Sequence, residues 1–231
     1  MTGARSERTT LHRYAHRAAY DRPTIDAILD EGFVGHLGLT ADDGFTVVIP
    51  LVYGRDGDAL YLHGSAASRL FRQSRTPARE VCLTVTLVDG IVVARSTYNT
   101  DVNYRSVVVV GDAVEVADLD ERRHGLDLLV EHILPGRSAD ARPPTDKEVR
   151  STMLLRLPID EASAKVRSGW PLDDEDDLRL PVWAGVLPAR TVWTQAEADP
   201  GLGAGLDLPP YLAGYGRGEP AGLTGAAGRR G

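Results

Sequence analysis

In LYLHGSAASRL, residues 60–70, a histidine, a glycine, two hydroxyls and a guanidinium fall within a few positions of one another. Alternation along the strand-like letters sends Leu60 and Leu62 to one face and Tyr61 and His63 to the other. Gly64 admits a turn, and Ser65 suits the first position of a helix that Leu70 and Phe71 would continue. A helix start presents unpaired backbone N–H groups and a partial positive charge, which together favour a phosphate or a carboxylate. Ser65 and Ser68 add hydroxyl donors, and Arg69 adds a two-pronged, charge-assisted contact. An ordinary capped helix with a solvated arginine would use the same letters, so the stretch alone leaves both readings open.

Other residue types offer less. His36, in GHLGL, lies inside a strand-like run and reads as a satisfied core or interface histidine. Cys82 is the single cysteine. Its setting, VCLTVTLV, marks it as core, and one thiol rules out both an internal disulfide and a metal cluster built on thiolates. The acidic run DDEDD, 173–177, lacks the spaced ligands and central glycine of a calcium loop and reads as a solvated loop. Hydrolase GxSxG and zinc-protease HExxH patterns do not occur in the sequence. GLGAG, 201–205, follows no strand-like run and lacks the third glycine of a dinucleotide fingerprint.

The elements that must carry these residues are mostly strands. DRPTIDAILDE, 21–31, has a capping Asp, an early Pro and apolar residues at helical spacing, so it predicts one amphipathic helix. After it come FVGHLGL (33–39), FTVVIPLVYG (45–54), ALYLH (59–63), VCLTVTLV (81–88), IVVARST (91–97) and YRSVVVVGDAVEV (104–116), all strand-like. Asp42-Asp43-Gly44, Asp56-Gly57-Asp58 and Asp89-Gly90 read as the tight turns between them. A second amphipathic helix is predicted over 118–134, with returning strands at 152–159 and 163–169. Strands joined by short turns, with few helices between, predict a mainly β fold with flanking helices: an antiparallel sheet closed into a small barrel. The domain boundaries that follow are an N-terminal extension, 1–20, a barrel domain, 21–195, and a flexible Gly/Pro/Ala-rich tail, 196–231.

Composition limits the partners. The 231 residues are 42% hydrophobic and 26% charged, which suits one sizeable globular domain. A formal net charge of -7 argues against duplex binding, because nonspecific nucleic-acid affinity comes from clustered Lys and Arg. No apolar run approaches the roughly 20 residues of a membrane span, and the opening MTGARSERTTLHRYAHR has no apolar centre of a secretory signal. The expectation is a cytoplasmic protein that binds neither nucleic acid nor membrane and has no metal site.

TVVIPLVYGRDGDALYLHGSAASRL (46–70), NYRSVVVVGDAVEV (103–116), PIDEASAKVRSG (158–169) and LPVWAGVLP (180–188) form an ordered set of segments. The set resembles the FMN-binding split-barrel superfamily, the pyridoxamine 5'-phosphate oxidase-like proteins, and within it the branch that includes nitroimidazole-resistance proteins. The resemblance implies a six-stranded antiparallel split barrel that pairs into a homodimer with FMN between the subunits. By the same resemblance, Val48, Ile49, Pro50 and Leu51 lie along the flavin ring, and Ser65, Ser68 and Arg69 take the phosphate. His63 and Gly64 line the same cleft with Ser106, and Lys165 and Trp183 contribute from the same or the partner chain. The position after Arg69 is Leu70, where the family usually has a lysine, and the C-terminal substrate pattern of the vitamin B6 oxidases is missing. The implied activity is an FMN-dependent oxidoreductase acting on a small organic molecule, with a nicotinamide as electron donor and His63 nearest the chemistry. The alternative is a non-catalytic protein on the same barrel that binds or senses flavin, haem or deazaflavin.

Overall fold

The computed structural model describes residues 3–41, 43–65 and 79–216, with the side chains of Ser65 and Arg79 left out. Its strands are β1 (Ala18–Ala19), β2 (Val34–Thr40), β3 (Thr46–Asp56), β4 (Ala59–Ser65), β5 (Arg79–Val93), β6 (Asp101–Glu115), β7 (Thr152–Pro158), β8 (Glu161–Arg167) and β9 (Gly185–Pro188). Hydrogen bonding runs in the order β1-β8-β6-β7-β4-β3-β2-β5-β9, and a further β5–β6 pairing links the ends of the series β5-β2-β3-β4-β7-β6. This mainly antiparallel ring fits the split barrel that the sequence resemblance implies. The chain forms two compact units, one of Met1–Leu87 with Tyr104–Arg167 and one of Val88–Asn103 with Ser168–Gly231.

In the first unit the core follows directly from alternation. Leu37 and Leu39 of β2, Tyr53 of β3, Leu60 and Leu62 of β4, and Val81, Leu83 and Val85 of β5 all point inward and are buried. Helix α1 (Arg22–Glu31) closes one side of this core with Ile25, Ile28 and Leu29. Its start is fixed as the sequence predicts: the Asp21 carboxylate accepts from the Thr24 backbone N–H at 3.0 Å, and Pro23 occupies the first turn. The Tyr53 hydroxyl donates to the Leu29 carbonyl at 2.7 Å, so a buried phenol is satisfied by the helix it packs against.

Helix α2 (Leu119–Ile133) lies on the outer side of β3, β4 and β7, where Ala59, Tyr61, Leu129 and Leu154 make a second buried cluster. Gly125 is the reason this helix sits so close. A Cβ at that position would stand 2.4 Å from Leu154 Cδ2 and 3.0 Å from Tyr61 Cδ1. A shorter helix, α3 (Arg137–Asp140), and α4 (Asp146–Ser151) follow, and α4 opens on a full capping box between Thr145 and Glu148.

Two turn expectations are met in part. Gly57 and Gly44 have positive φ, 51° and 81°, as tight turns require, while Asp42 of the second turn lies outside the described residues. Asp89-Gly90 is a correction. The expected hairpin between 81–88 and 91–97 does not exist, because β5 runs unbroken across Asp89-Gly90 to Val93. In the second unit Gly90 instead meets the backbone of β9, where a Cβ would stand 2.7 Å from the Leu187 carbonyl oxygen. The dipeptide there serves close approach of two chains, not reversal of one.

The second unit also corrects the acidic run. Asp173, the first residue of DDEDD, is not solvated: its side chain is 2% exposed, it accepts from the Arg95 backbone N–H at 2.8 Å, and it pairs with the Arg95 guanidinium at 2.7 Å. The rest of the run stays at the surface and ends in a short 3-10 helix, Asp177–Arg179.

Candidate functional site

The outer face of β5, β2 and β3 has an unusual surface for a chain with 26% charged residues. Cys82, Thr84 and Thr86 of β5, Val34, His36 and Gly38 of β2, and Val48, Pro50 and Val52 of β3 all point outward, and none is an Asp, Glu, Lys or Arg. Gly38 sits opposite Val48 on one side and Cys82 on the other, and His36 sits opposite Pro50 and Thr84. Val48 is 62% exposed and Val34 43% exposed, so the face is apolar and uncovered in the single chain. A flat, uncharged patch of this kind marks a binding surface.

One edge of this face is open. β3 pairs with β2 from Thr46 to Val52, but with β4 only from Tyr53 to Asp56. Before Tyr53, among the described residues, no strand pairs with the other edge of β3. The strands part here because β4 leaves β3 and stays with β7, to which it pairs from Ala59 to Ser65. The backbone N–H and C=O groups that a strand normally spends on its neighbour are therefore left along Val48–Leu51. Pro50 suits such an edge, since it has no N–H to lose.

His63 stands where the strands diverge. The pairing of Tyr53 with Leu62 makes Val52 and His63 the next cross-strand neighbours, and both point outward because Tyr53 and Leu62 are buried inside. The imidazole keeps a solvent-exposed edge and hydrogen-bonds to the Val52 backbone. Crowding by the surrounding protein holds its pKa below the ordinary imidazole value, against the smaller opposite pull of that hydrogen bond. At pH 7 the ring is neutral, able to donate from one nitrogen and accept at the other.

The sequence-predicted residues fall into three groups. Val48 and Pro50 join His63 on the outward side, whereas Ile49 and Leu51 turn inward against the core and have only their backbones to offer. Ser106 and Lys165 form a separate pair on β6 and β8, directly opposite one another, with Lys165 Nζ 6.0 Å from the Tyr14 ring centre. Among the described residues no hydrogen bond joins that pair to the β3 edge. Ser68 and Arg69 lie outside the described residues.

Gly64, Cys82 and one reading of His36 need correction. β4 does not end at His63: it continues through Gly64 and Ser65, paired with Met153 and Thr152, so the turn expected at Gly64 is extended strand. β7 supplies the partner that makes the longer strand favourable. The helix expected to start at Ser65 lies outside the described residues. Of the core and interface readings of His36 only the core one is overturned: His36 is exposed and faces outward, because Gly35 and Leu37 take the inward positions on either side. Cys82 is half-buried on that same outer face for the same reason, with Val81 and Leu83 inward. Trp183, in the second unit, is 68% exposed with its indole over Gly185. Sequence reasoning missed the open β3 edge, whose only signal was Pro50 inside an otherwise ideal strand.

The pyridoxamine 5'-phosphate oxidase family profile matches residues 21–166. No curated protein matches the chain. Among solved structures, the flavocytochrome Anf3 from Azotobacter vinelandii is 40% identical, with a TM-score of 0.88 over 94% of this chain and 100% of that one. A protein from Mycobacterium smegmatis described as binding FAD and haem is 36% identical, with a TM-score of 0.81 over 86% of this chain and 96% of its own. A 5-nitroimidazole antibiotic resistance protein from Bacteroides thetaiotaomicron, 24% identical, shares the fold with a TM-score of 0.53 over 64% of this chain and 86% of its own.

Proposed function

Because this chain belongs to the pyridoxamine 5'-phosphate oxidase family, we propose that it binds a flavin along the open edge of β3 and passes electrons between that flavin and a small organic molecule. The observation that carries this reading is the edge of β3 along Val48–Leu51 that no described strand pairs, beside an exposed sheet face without Asp, Glu, Lys or Arg. A flavin ring has a polar rim of carbonyls and ring nitrogens and two apolar faces. The strand edge meets the first requirement and the Val34, Val48 and Pro50 surface meets the second. When bound, the flavin supplies hydride or single-electron transfer, and the protein contributes binding, orientation and electrostatics.

The roles of the residues follow from where they stand. Backbone groups along Val48–Leu51 orient the ring, and Val48 and Pro50 keep water from one side of it. Ser65, Ser68 and Arg69 are assigned to the phosphate on sequence grounds. His63, neutral and half-satisfied by Val52, keeps one nitrogen for either a substrate at the ring or a second prosthetic group. The uncharged face is also the proposed surface for a second copy of the chain, giving a homodimer with Ser106 and Lys165 available to the cleft from either copy. The sequence resemblance favours FMN, while the M. smegmatis relative, described as binding FAD, favours the dinucleotide.

A second prosthetic group, haem, is proposed for the same chain, because two relatives above 30% identity are described as a flavocytochrome and as haem-binding. The donor set fits: a neutral imidazole stands beside apolar, uncharged surface.

The test is the absorbance of the purified protein. Flavin bands at near-stoichiometric content, with the released cofactor identified by chromatography as FMN or FAD, would support the reading. A colourless protein with no affinity for either added flavin would overturn it. Arg69→Ala is expected to weaken flavin binding by about 1.5 to 3 kcal/mol, the range for a lost hydrogen bond to a charged group. Unchanged affinity on titration would remove Arg69 from the phosphate site. Turnover of reduced nicotinamide with quinone or nitro acceptors separates an enzyme from a flavin carrier.

A further inference from the structure

Six histidines are present, and the structure distinguishes them by what their nitrogens already do. His12 meets the Glu7 carboxylate, His124 meets Asp56, and His132 meets the Gly32 carbonyl, while His16 lies edge-on to Tyr14. Only His36 and His63 stand on the outward side of β2, β3 and β4. His63 differs from His36 in one respect that decides coordination chemistry. Its bond to the Val52 backbone fixes which nitrogen carries the proton, so the other presents a lone pair in a set direction. Imidazoles that bind metals are commonly held this way, by a carbonyl at the nitrogen remote from the metal. The flanks are apolar as well: Val52 lies on one side, and Leu154, the cross-strand partner of His63 on β7, on the other. A macrocycle with an apolar perimeter would rest against such flanks.

We propose that His63 is an axial ligand to haem iron, through the nitrogen that does not bond Val52. The proposal rests on the haem reading above. His36, for which no bonded partner fixes a tautomer, is the internal control.

The full chain is titrated with hemin, and binding is followed by absorption and electron paramagnetic resonance. For the wild type a saturable, red-shifted Soret band with the spectrum of imidazole-ligated iron is expected. His63→Ala is expected to weaken hemin binding at least tenfold and to lose that spectrum, and added imidazole is expected to restore it. His63→Cys keeps a protein ligand at the same place, so the iron spectrum should change to that of thiolate ligation. A matching thermal melt confirms that each variant is folded. Should the wild type take up no hemin, the haem reading itself is overturned. If the wild type binds but His63→Ala leaves the spectrum unchanged, or His36→Ala abolishes it instead, only the assignment to His63 is overturned.

Discussion

The two halves of β3 have similar letters and opposite fates. TVVIPLV, 46–52, has β2 on one side and, among the described residues, an open edge on the other, with Val48 and Pro50 exposed. YGRD, 53–56, is paired with β4, roofed by α2 and clasped to α1. Gly54 lies so close beneath α2 that a Cβ would stand 3.3 Å from the backbone of Leu129, and Arg55 donates to Asp30 of α1 at 2.6 Å. One half contributes to stability and the other to recognition. What separates them is not intrinsic strand propensity but cover: α2 packs on the second half, and of the first half only Val52 joins the cluster beneath it. A site can be kept open on a strand whose continuation is locked down, and the lock is what makes the open half rigid.

Truncating the covered half should have the largest effect. Tyr53 is fully buried, packs in the main core and donates to the Leu29 carbonyl. Tyr53→Ala is expected to cost about 3 to 5 kcal/mol, the range for removing a buried aromatic and leaving its cavity. Chemical denaturation measures this, and a loss below about 1 kcal/mol would mean that α1 does not clamp the strand. Forcing the roof off should come next. Gly125→Val places a branched side chain where a single Cβ already meets Leu154 at 2.4 Å, so α2 must lift from β4 and β7. Overpacking of this kind costs about 1 to 3 kcal/mol. Hydrogen exchange should show faster opening at β4 and β7 than at β2, and uniform exchange across the sheet would contradict the division drawn here.

The same comparison explains how much of this was legible in the sequence. Strand faces followed from period-two alternation, which is local, so Leu60 and Leu62 inward and His63 outward were readable directly. Helix α1 was equally plain, since Asp21, Pro23 and Gly32 bracket it. Pairing partners were not local. That β4 runs on through Ser65 depends on β7, almost ninety residues later, and the opposition of Ser106 to Lys165 depends on the β6–β8 register. Asp89-Gly90 misled for a similar reason: a turn dipeptide and a glycine required by a distant strand look alike until β9 is placed. The exposure of His36 and Cys82 was within reach, since their inward neighbours were already apolar, but a histidine among apolar letters suggests burial by composition alone.

The smallest stability effect should come from the open half, and that contrast is the sharpest test. Val48 is 62% exposed, and its nearest cross-strand partner is Gly38, so little packing is lost when it is replaced. Val48→Glu gives up some strand propensity and sets one charge on the surface. Neither change should cost more than about 0.5 to 1 kcal/mol in denaturation. Binding should respond quite differently. A carboxylate in the middle of the uncharged face must either be desolvated by a flavin ring or by a second copy of the chain, or keep both away. Flavin content on purification should therefore fall at least tenfold while the melting temperature barely moves, and sizing of the same sample shows whether the second copy leaves with the flavin. A variant that melts many degrees lower yet stays yellow would reverse the assignment, making Val48 a structural residue and moving the recognition surface elsewhere on the barrel.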